Sequence, residues 1–343
     1  MYIASIDCGT TNSRVYIINQ VGEIIGKGTR EVGVRNTSMS GSKESLKKGL
    51  KEAFFDAVKD AELEQKDISF AVSAGMITAE IGLIEIPHLT APVSLEKISS
   101  NIVKIHDTTV FPVDIPIYFI PGIKNNLDFS KATIKDVIDM DFMRGEEVQV
   151  MGLLSNKEYS QPLTTVVLSS HTKFISVNKQ GEIDGSLTTL SGQVYKAILK
   201  ETFLGKSIEK TEGMDEPQNF FKSSIIESAF EAVKQHGFVR SLLLTRFMDV
   251  LIDTTWYERR LFIETLIAAD DMKALNNLSD QFLNSKSNVI LVGAYRRCKI
   301  YKYILENILK CSTKISTITD EKEIDSLNIK GTIEIVRKGA ILQ

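Results

Sequence analysis

The amino-acid sequence predicts an α/β protein with two lobes of similar topology. Its 343 residues are enough for two domains of roughly 100–200 residues each. A pattern of strand, hydroxyl-rich loop, strand and Asn-x-x-Gly-Glu-Ile turn occurs twice, at residues 6–24 and again at 168–183. A duplicated strand-loop-strand with hydroxyl groups at its tip suggests two lobes that face one phosphate chain.

The strands and helices follow from the hydrophobic pattern, taken in order along the chain. An amphipathic stripe from Leu46 to Ala61 predicts a helix with its N-cap near Ser42. A second helix is predicted from Gly145 to Leu154, and mostly helical structure from Ile225 to Phe282. Five of the seven prolines lie between Pro87 and Pro121, which predicts loops and short strands there. Short apolar runs predict strands at 2–6, 15–18, 23–29, 68–72, 163–168, 174–177, 289–292 and 315–318.

The composition argues against several classes of function. Lys+Arg 41 against Asp+Glu 44 gives a net charge of −3, and no basic run is present, which argues against a nucleic-acid binder. Cys8, Cys298 and Cys311 have neither disulfide nor metal-ligand spacing, so we expect free thiols in a reducing compartment. Because no apolar run approaches a membrane span and the N-terminus has no signal pattern, we expect a cytoplasmic protein without a membrane partner.

The first hairpin loop carries the strongest chemical signal. Asp7 stands at the end of a strand and suits Mg²⁺, which prefers hard oxygen ligands. Gly9 lets the backbone approach a phosphate, and Thr10, Thr11 and Asn12 supply hydrogen-bond donors. A hairpin turn without a ligand is the alternative, and the second copy of the loop favours function. The sequence has no P-loop and no G-x-G-x-x-G motif after a strand, so a phosphate site here would use paired hairpins.

Four further motifs are candidates, and each has a structural alternative. In the run Arg144-Gly145-Glu146-Glu147, the arginine could pair with a carboxylate or phosphate and Glu146 could accept a hydroxyl proton. The alternative is an acidic helix start. Residues Ser73–Met76 could line a substrate pocket or form an ordinary strand end. His171 could meet a phosphate or occupy a turn, and Gly293-Ala294 could pass beneath a purine ring or enter a helix.

Together these motifs resemble the 2-dehydro-3-deoxygalactonokinases, a family of sugar-acid kinases in the actin/hexokinase/Hsp70-like superfamily. The resemblance spans nearly the whole chain in the right order. The most specific element, Met-Arg-Gly-Glu-Glu-x-Gln, is intact at Met143–Gln149, and Asp-x-Gly-[Ser/Thr]-[Thr/Ser]-Asn-x-Arg is intact at Asp7–Arg14. Other matching elements are Glu31–Val34, Ala74–Met76, Pro87–Pro92, Ile120–Gly122 and Gly293-Ala294.

Three pocket loops depart from the pattern of this family. The second phosphate loop has Ser169 where the family has glycine, which makes a close approach of the backbone to phosphate harder. Ser170 keeps a hydroxyl where the family has threonine. Thr78 stands where the family usually has glycine, and Gln193 replaces a glutamate. These departures leave the exact sugar open, and they motivate the alternative of a protein that binds nucleotide without turnover.

The sequence pattern predicts a domain boundary between Gly152 and Leu163, and the resemblance implies two ribonuclease H-like lobes with a cleft between them. The N-terminal lobe, residues 1–155, would bind the sugar acid and carry the first phosphate loop. The C-terminal lobe, residues 156–343, would carry the second phosphate loop and bind adenosine. The implied reaction is phosphorylation of 2-dehydro-3-deoxy-D-galactonate to its 6-phosphate by ATP. The alternatives are a kinase for another sugar or sugar acid and a nucleotide-binding regulatory paralogue, and a homodimer is left open.

The resemblance also implies a role for each candidate residue. Glu146 is the expected general base, and Asp7 is the expected protein anchor of Mg²⁺, which would accompany ATP. The expected substrate-binding residues are Arg14, Ala74, Gly75, Met76 and Arg144. The expected ATP- and phosphate-binding residues are Gly9, Thr10, Thr11, Asn12, Ser169, Ser170, His171, Lys173, Gly293 and Ala294. The sugar acid and ATP are the expected small-molecule partners.

Overall fold

The first three strands of the chain form an antiparallel meander, and a fourth strand pairs in parallel with the first. The computed structural model describes residues 1–156, 158–276, 282–283 and 287–342. The four strands are β1 (Tyr2–Cys8), β2 (Ser13–Asn19), β3 (Ile24–Arg30) and β4 (Ile68–Gly75). With β6 (Val103–Ile105) and β7 (Ile117–Phe119) they make a six-stranded sheet of order β3-β2-β1-β4-β7-β6.

Helices and a small second sheet complete this part of the chain. Helices α1 (Val34–Ser40) and α2 (Glu44–Asp60) connect β3 to β4. The short strands β5 (Leu89–Thr90), β8 (Ile123–Lys124) and β9 (Phe142–Met143) form a three-stranded sheet of order β5-β8-β9. The other two helices are α3 (Leu95–Ser99) and α4 (Glu146–Leu154). Because α4 starts three residues after β9 ends, the small sheet sets the position of its first turn.

The second half of the chain repeats the meander and then adds its own helices. Strands β10 (Leu163–Leu168), β11 (Thr172–Val177), β12 (Ile183–Thr189), β13 (Asn288–Gly293) and β14 (Ile315–Ile318) form a five-stranded sheet of order β12-β11-β10-β13-β14. The helices are α5 (Ser191–Glu201), α6 (Leu204–Ser207), α7 (Ser223–His236), α8 (Phe238–Leu251), α9 (Trp256–Asn276) and α10 (Tyr295–Tyr303), which continues as a π-turn at Ile304–Ile308. Both sheets thus begin with the order third, second, first, fourth strand, which confirms the predicted α/β fold with two ribonuclease H-like lobes.

The contacts within the chain divide it into two units. The first unit consists of Met1–Gln161, Val177–Ser186 and Lys322–Gln343, and the second of Pro162–Ser176 and Leu187–Glu321. The last helix, α11 (Glu321–Lys338), belongs almost entirely to the first unit, where the hydroxyl of Tyr16 donates to Asp325 at 2.9 Å. The expected lobes, 1–155 and 156–343, differ from this division in the assignment of residues 156–161, 177–186 and 322–343.

Most predicted elements are present, and their differences have local causes. Strands β10 and β14 have the predicted bounds. Helix α2 begins two residues after Ser42, whose hydroxyl accepts the backbone N–H of Glu44 at 3.3 Å. Helix α1 was not predicted because its sequence, Val-Arg-Asn-Thr-Ser-Met-Ser, has no apolar stripe. Part of the helical stretch predicted up to Phe282, residues 277–281, lies outside the described residues.

The three cysteines are free thiols, as predicted. Burial raises the pKa of Cys8 to about 12 and that of Cys298 to about 12, so neither is an effective nucleophile near neutral pH. In the part of the chain that the structure describes, no helix is long and apolar enough to span a membrane.

Helix α2 supplies much of the core of the first unit. Its stripe of buried side chains packs against the β1-β2-β3 meander, and the stripe consists of Leu46, Leu50, Ala53, Phe54, Ala57 and Val58. The ring of Phe54 is fully buried and meets the ring of Phe111 edge to face, with centroids 6.3 Å apart. The next residue, Phe55, points away from the core and remains 40% exposed.

These two neighbouring phenylalanines give a matched test of the packing. We expect Phe54→Ala to destabilise the first unit by roughly 3–5 kcal/mol, because it removes a buried ring and leaves a cavity. Phe55→Ala should cost much less, within about 1 kcal/mol, because its ring is partly in water already. Thermal unfolding followed by far-ultraviolet circular dichroism measures both changes. Equal losses of the unfolding temperature for the two variants would contradict this description of the core.

Candidate functional site

The first hairpin loop, residues Cys8–Ser13, is held by backbone hydrogen bonds to the start of α1. The N–H of Val34 donates to the carbonyl of Gly9 at 3.2 Å, and the N–H of Arg35 donates to that of Thr10 at 2.9 Å. A Cβ placed on Gly33 would lie 2.5 Å from the carbonyl oxygens of Gly9 and Thr10, so no larger residue fits there. The loop backbone is therefore fixed in place, and its polar side chains, Thr11 and Asn12, remain exposed.

Asp7 and Arg14 face each other across the strands that flank this loop. They are register partners in the β1–β2 pair, and Nη1 of Arg14 lies 3.2 Å from Oδ2 of Asp7. Surrounding protein atoms desolvate the carboxylate and raise the pKa of Asp7, an effect that the Arg14 guanidinium opposes. The Asp7 side chain nevertheless keeps 45% of its surface exposed, so an ion or ligand can reach it.

Two glycines bring the end of β4 against the start of α4. Gly75 pairs with Cys8 in the parallel β1–β4 ladder, and a Cβ placed on Gly145 would lie 3.3 Å from the Cα of Gly75. Gly145 has a φ of 110°, a conformation that side-chain-bearing residues rarely adopt. The first loop, the Ala74-Gly75-Met76 strand end and the Arg144–Glu146 segment are therefore brought to one edge of the first sheet.

Arg144 is held by three protein acceptors. Nη1 donates to the hydroxyl of Thr78 at 2.8 Å, and Nη2 donates to the carbonyl of Ile86 at 2.8 Å and lies 3.3 Å from Nδ1 of His88. The Thr78 hydroxyl donates in turn to the carbonyl of Gly75 at 2.9 Å. Partial burial lowers the pKa of Arg144, an effect that the nearby Glu147 and Glu85 carboxylates oppose, and Arg144 stays charged because an arginine pKa remains far above neutral pH.

The two glutamates at the start of α4 have different surroundings. Glu147 is fully buried, and both of its carboxylate oxygens accept the backbone N–H of Gly145 at 2.8 Å. Glu146 is only partly buried as a residue, yet its Oε2 is enclosed and accepts no hydrogen bond from the described residues. Glu147 therefore stabilises the backbone turn, whereas Glu146 has an acceptor atom to offer.

The second hairpin loop, Ser169–His171, is docked in the same manner in the second unit. The N–H of Gln193, in the first turn of α5, donates to the carbonyl of Ser170 at 2.9 Å. A Cβ on Gly192 would lie 2.3 Å from the carbonyl oxygen of Ser169, so this position also requires glycine. The hydroxyl of Ser169 donates to the carbonyl of His171 at 3.0 Å.

Two side chains that the sequence did not single out as site residues contact this second loop. Arg297 on α10 donates to the carbonyl of Ser169 at 2.6 Å and to the hydroxyl of Thr172 at 2.9 Å. Nε2 of Gln193, noted before only as a departure, lies 3.2 Å from Nε2 of His171. Arg297 is 128 residues from the loop in sequence, and no local pattern marks it.

The remaining predicted residues of the second unit are less available to a ligand. Lys173 is buried, and its ammonium group donates to the hydroxyl of Thr188 at 2.8 Å. Gly293 ends β13 beside Leu168, and a Cβ there would lie 2.8 Å from the Leu168 carbonyl oxygen. Close packing of β13 against β10 thus accounts for this glycine. Ala294 is exposed and directly precedes α10.

Comparison with known proteins relates the whole arrangement to one kind of kinase. Residues 7–321 match the 2-keto-3-deoxy-galactonokinase family. A protein of Rhizobium meliloti (strain 1021), provisionally named as a 2-dehydro-3-deoxygalactonokinase, is 23% identical over 220 residues, which cover 62% of this chain and 60% of that protein. The 2-dehydro-3-deoxygalactonokinase of Escherichia coli (strain K12) is 25% identical over 214 residues, which cover 62% of this chain and 61% of that protein.

A solved structure shows the same fold over the full length. The crystal structure of a protein from Sinorhizobium meliloti, provisionally assigned as a 2-dehydro-3-deoxygalactonokinase, superposes with a TM-score of 0.70. The superposition covers 99% of both chains at 19% sequence identity. The match of the family over residues 7–321, together with the two hairpin loops and the Arg144–Glu147 segment, shows that this chain belongs to the 2-keto-3-deoxy-galactonokinase family.

Proposed function

We propose that the protein transfers the γ-phosphoryl group of ATP to the 6-hydroxyl of a 2-keto-3-deoxy sugar acid, 2-dehydro-3-deoxy-D-galactonate. The observation that carries this proposal is the convergence of Asp7, the Gly75 strand end and Glu146 at one edge of the first sheet, in a member of this kinase family. Phosphoryl transfer needs a positioned acceptor hydroxyl, a proton acceptor and neutralisation of phosphate charge. The residues at this edge offer a group for each requirement.

Asp7 is the group that suits a magnesium ion. Its carboxylate is a hard oxygen ligand, and nearly half of its side chain is exposed. Mg²⁺ commonly binds through one or two carboxylates, water and nucleotide phosphates, so a single carboxylate can serve as its protein anchor. When bound, the ion would neutralise charge on the phosphates. Arg14 would keep the Asp7 carboxylate oriented.

Glu146 is our candidate for the general base. A sugar hydroxyl is a weak nucleophile, and a positioned carboxylate that accepts its proton speeds the attack. The unpartnered Oε2 of Glu146 supports this assignment, because the carboxylate of the neighbouring Glu147 is already occupied by the N–H of Gly145. The proton would therefore move from the 6-hydroxyl to Glu146.

We assign the remaining groups by unit. In the first unit, the substrate-binding residues are Arg14, Ala74, Gly75, Met76 and Arg144. The phosphates would bind to Gly9, Thr10, Thr11 and Asn12 in the first unit and to Ser169, Ser170, His171 and Lys173 in the second. Adenosine would lie near Gly293 and Ala294. Exposed hydroxyl and amide donors in the first loop support the phosphate assignment. Lys173 is buried, so its ammonium group would contact a phosphate only after a rearrangement and would otherwise act through its charge at a distance.

A coupled assay of ADP release tests the proposed reaction. We expect turnover with 2-dehydro-3-deoxy-D-galactonate that exceeds turnover with its C4 epimer and with neutral sugars. Faster turnover with a different sugar or sugar acid would replace the substrate while keeping the kinase. ATP binding without turnover on any substrate would favour a regulatory protein, an outcome that the Ser169 and Gln193 departures motivate.

Substitution of Asp7 tests its proposed role as the anchor of the magnesium ion. We expect Asp7→Asn and Asp7→Ala to lower kcat at least about a hundredfold, because phosphate charge would no longer be neutralised by an anchored ion. Circular dichroism and the unfolding temperature serve as controls for folding, since Asp7 is half exposed and its loss should leave the sheet intact. A folded variant with near wild-type kcat at millimolar Mg²⁺ would remove Asp7 from this role.

Substitution of Glu146 and Glu147 separates the proposed base from the residue that stabilises the turn. Glu146→Gln should lower kcat at least about a hundredfold with little change in stability, because a base contributes about 10²–10⁴-fold. Glu147→Gln should lower the unfolding temperature instead, because one of the two oxygens that accept the Gly145 N–H becomes an amide. Steady-state kinetics and thermal unfolding of both variants check this division. Similar small losses of kcat in both variants would leave the base unassigned.

A further inference from the structure

Beside the first hairpin loop lies an open depression of about 450 Å³, and five of its six lining residues are polar. A volume of this size falls within the range of about 300–1,000 Å³ that is usual for small-molecule sites. The lining consists of Thr11, Asn12, Glu31, Arg35, Asn36 and Met39. Hydroxyl, amide, carboxylate and guanidinium groups suit a ligand that has several hydroxyls and one negative charge. We infer that Arg35 binds the carboxylate of the sugar acid in this depression, an inference that rests on the proposed function.

The position of Arg35 relative to the loop is fixed by the backbone. Its own N–H donates to the carbonyl of Thr10 at 2.9 Å, and the preceding turn leaves no room for a side chain at Gly33. The guanidinium is therefore carried on a rigid piece of chain next to the exposed side chains of Thr11 and Asn12. A substrate bound there would lie beside the loop to which we assign phosphate binding.

The guanidinium of Arg35 is exposed and has no ion-pair partner among the described residues. Two neighbouring arginines are already paired, Arg14 with Asp7 at 3.2 Å and Arg30 with Glu52 at 3.1 Å. Arg144 donates through both terminal nitrogens to protein acceptors, so a two-pronged contact with a carboxylate would require it to exchange existing bonds. Arg35 can form a bidentate contact without such a loss.

Glu31 in the same wall suits the hydroxyl groups of a sugar acid. Its carboxylate can accept hydrogen bonds from sugar hydroxyls. The amide of Asn36 adds a further polar contact, although its Oδ1 already accepts the N–H of Gly33 at 3.1 Å. The Arg35 guanidinium, beside a Glu31 carboxylate that can accept hydrogen bonds from hydroxyl groups, thus matches a sugar acid with one carboxylate.

Variants of Arg35 that alter the charge or the shape of its side chain, together with an uncharged substrate analogue, test the inference. We expect Arg35→Gln to raise KM for 2-dehydro-3-deoxy-D-galactonate at least about tenfold, with KM for ATP within about twofold of wild type. Arg35→Lys should recover part of the loss, because it restores the charge but not the fork. A substrate analogue with an amide in place of the carboxylate should bind both wild type and Arg35→Gln with similar, weak affinity.

Another exposed arginine of the first unit, Arg337, provides the control. Arg337→Gln removes another exposed guanidinium of the first unit, one that pairs with Glu334 at 2.9 Å, and should leave both KM values unchanged. An unchanged KM for the acid in Arg35→Gln would overturn the inference. So would an equal loss with the amide analogue or a rise confined to KM for ATP.

Calorimetric binding of the sugar acid without ATP separates this inference from the proposed reaction. If wild type binds the acid but does not phosphorylate it, the proposed function fails, and a weaker Kd in Arg35→Gln still supports the carboxylate contact. If wild type phosphorylates the acid and Arg35→Gln binds it equally well, only the inference fails. If wild type does not bind the acid at all, both fail.

Discussion

The two units share one physical constraint, which is the docking of a hairpin loop onto the start of the helix that follows the third strand. In the first unit Gly33 allows this contact, and in the second unit Gly192 does. In each case the helix supplies a backbone N–H that would otherwise need another partner, and the loop supplies the carbonyl. A Cβ at either glycine would overlap backbone atoms, which cannot move aside as a flexible side chain could. The duplicated sequence pattern is therefore a duplicated tertiary contact.

Because the backbone of the first loop is hydrogen-bonded to the helix, the side chains of Thr11 and Asn12 remain exposed. Thr11 and Asn12 do not have to stabilise their own turn, because Gly9 accepts from the helix and also donates to the Asn12 carbonyl at 2.9 Å. A group that is held in place before its ligand arrives loses less entropy on binding. The same separation recurs at α4, where Glu147 accepts the N–H of Gly145 and Glu146 keeps an enclosed oxygen that has no hydrogen-bond partner among the described residues. The structural role of Glu147 and the chemical role that we propose for Glu146 thus fall to adjacent residues.

The sequence pattern predicts what depends on near neighbours and misses what depends on distant ones. Strands β10 and β14 could be bounded to the residue, because an apolar β-branched run between polar turns is a local signal. Arg297 could not be found, because its role depends on a contact with a loop 128 residues away. Helix α1 could not be predicted, because it has no amphipathic stripe and its first turn depends on hydrogen bonds to the hairpin loop. Arg35, on that helix, was missed for the same reason.

The contacts of Thr78 and Gln193 show what two of the departures from the family pattern do in the structure. Thr78, where the family usually has glycine, contributes a buried hydroxyl that links Arg144 to the carbonyl of Gly75. Gln193, in place of a glutamate, lies within hydrogen-bond distance of His171, so a neutral amide stands beside the imidazole where the family has a carboxylate. Both changes act on the orientation and charge of other residues and leave Asp7 and Glu146 in place. In the proposed kinase, such changes would adjust how substrate and phosphate are held, and the proposed phosphoryl-transfer groups would remain the same.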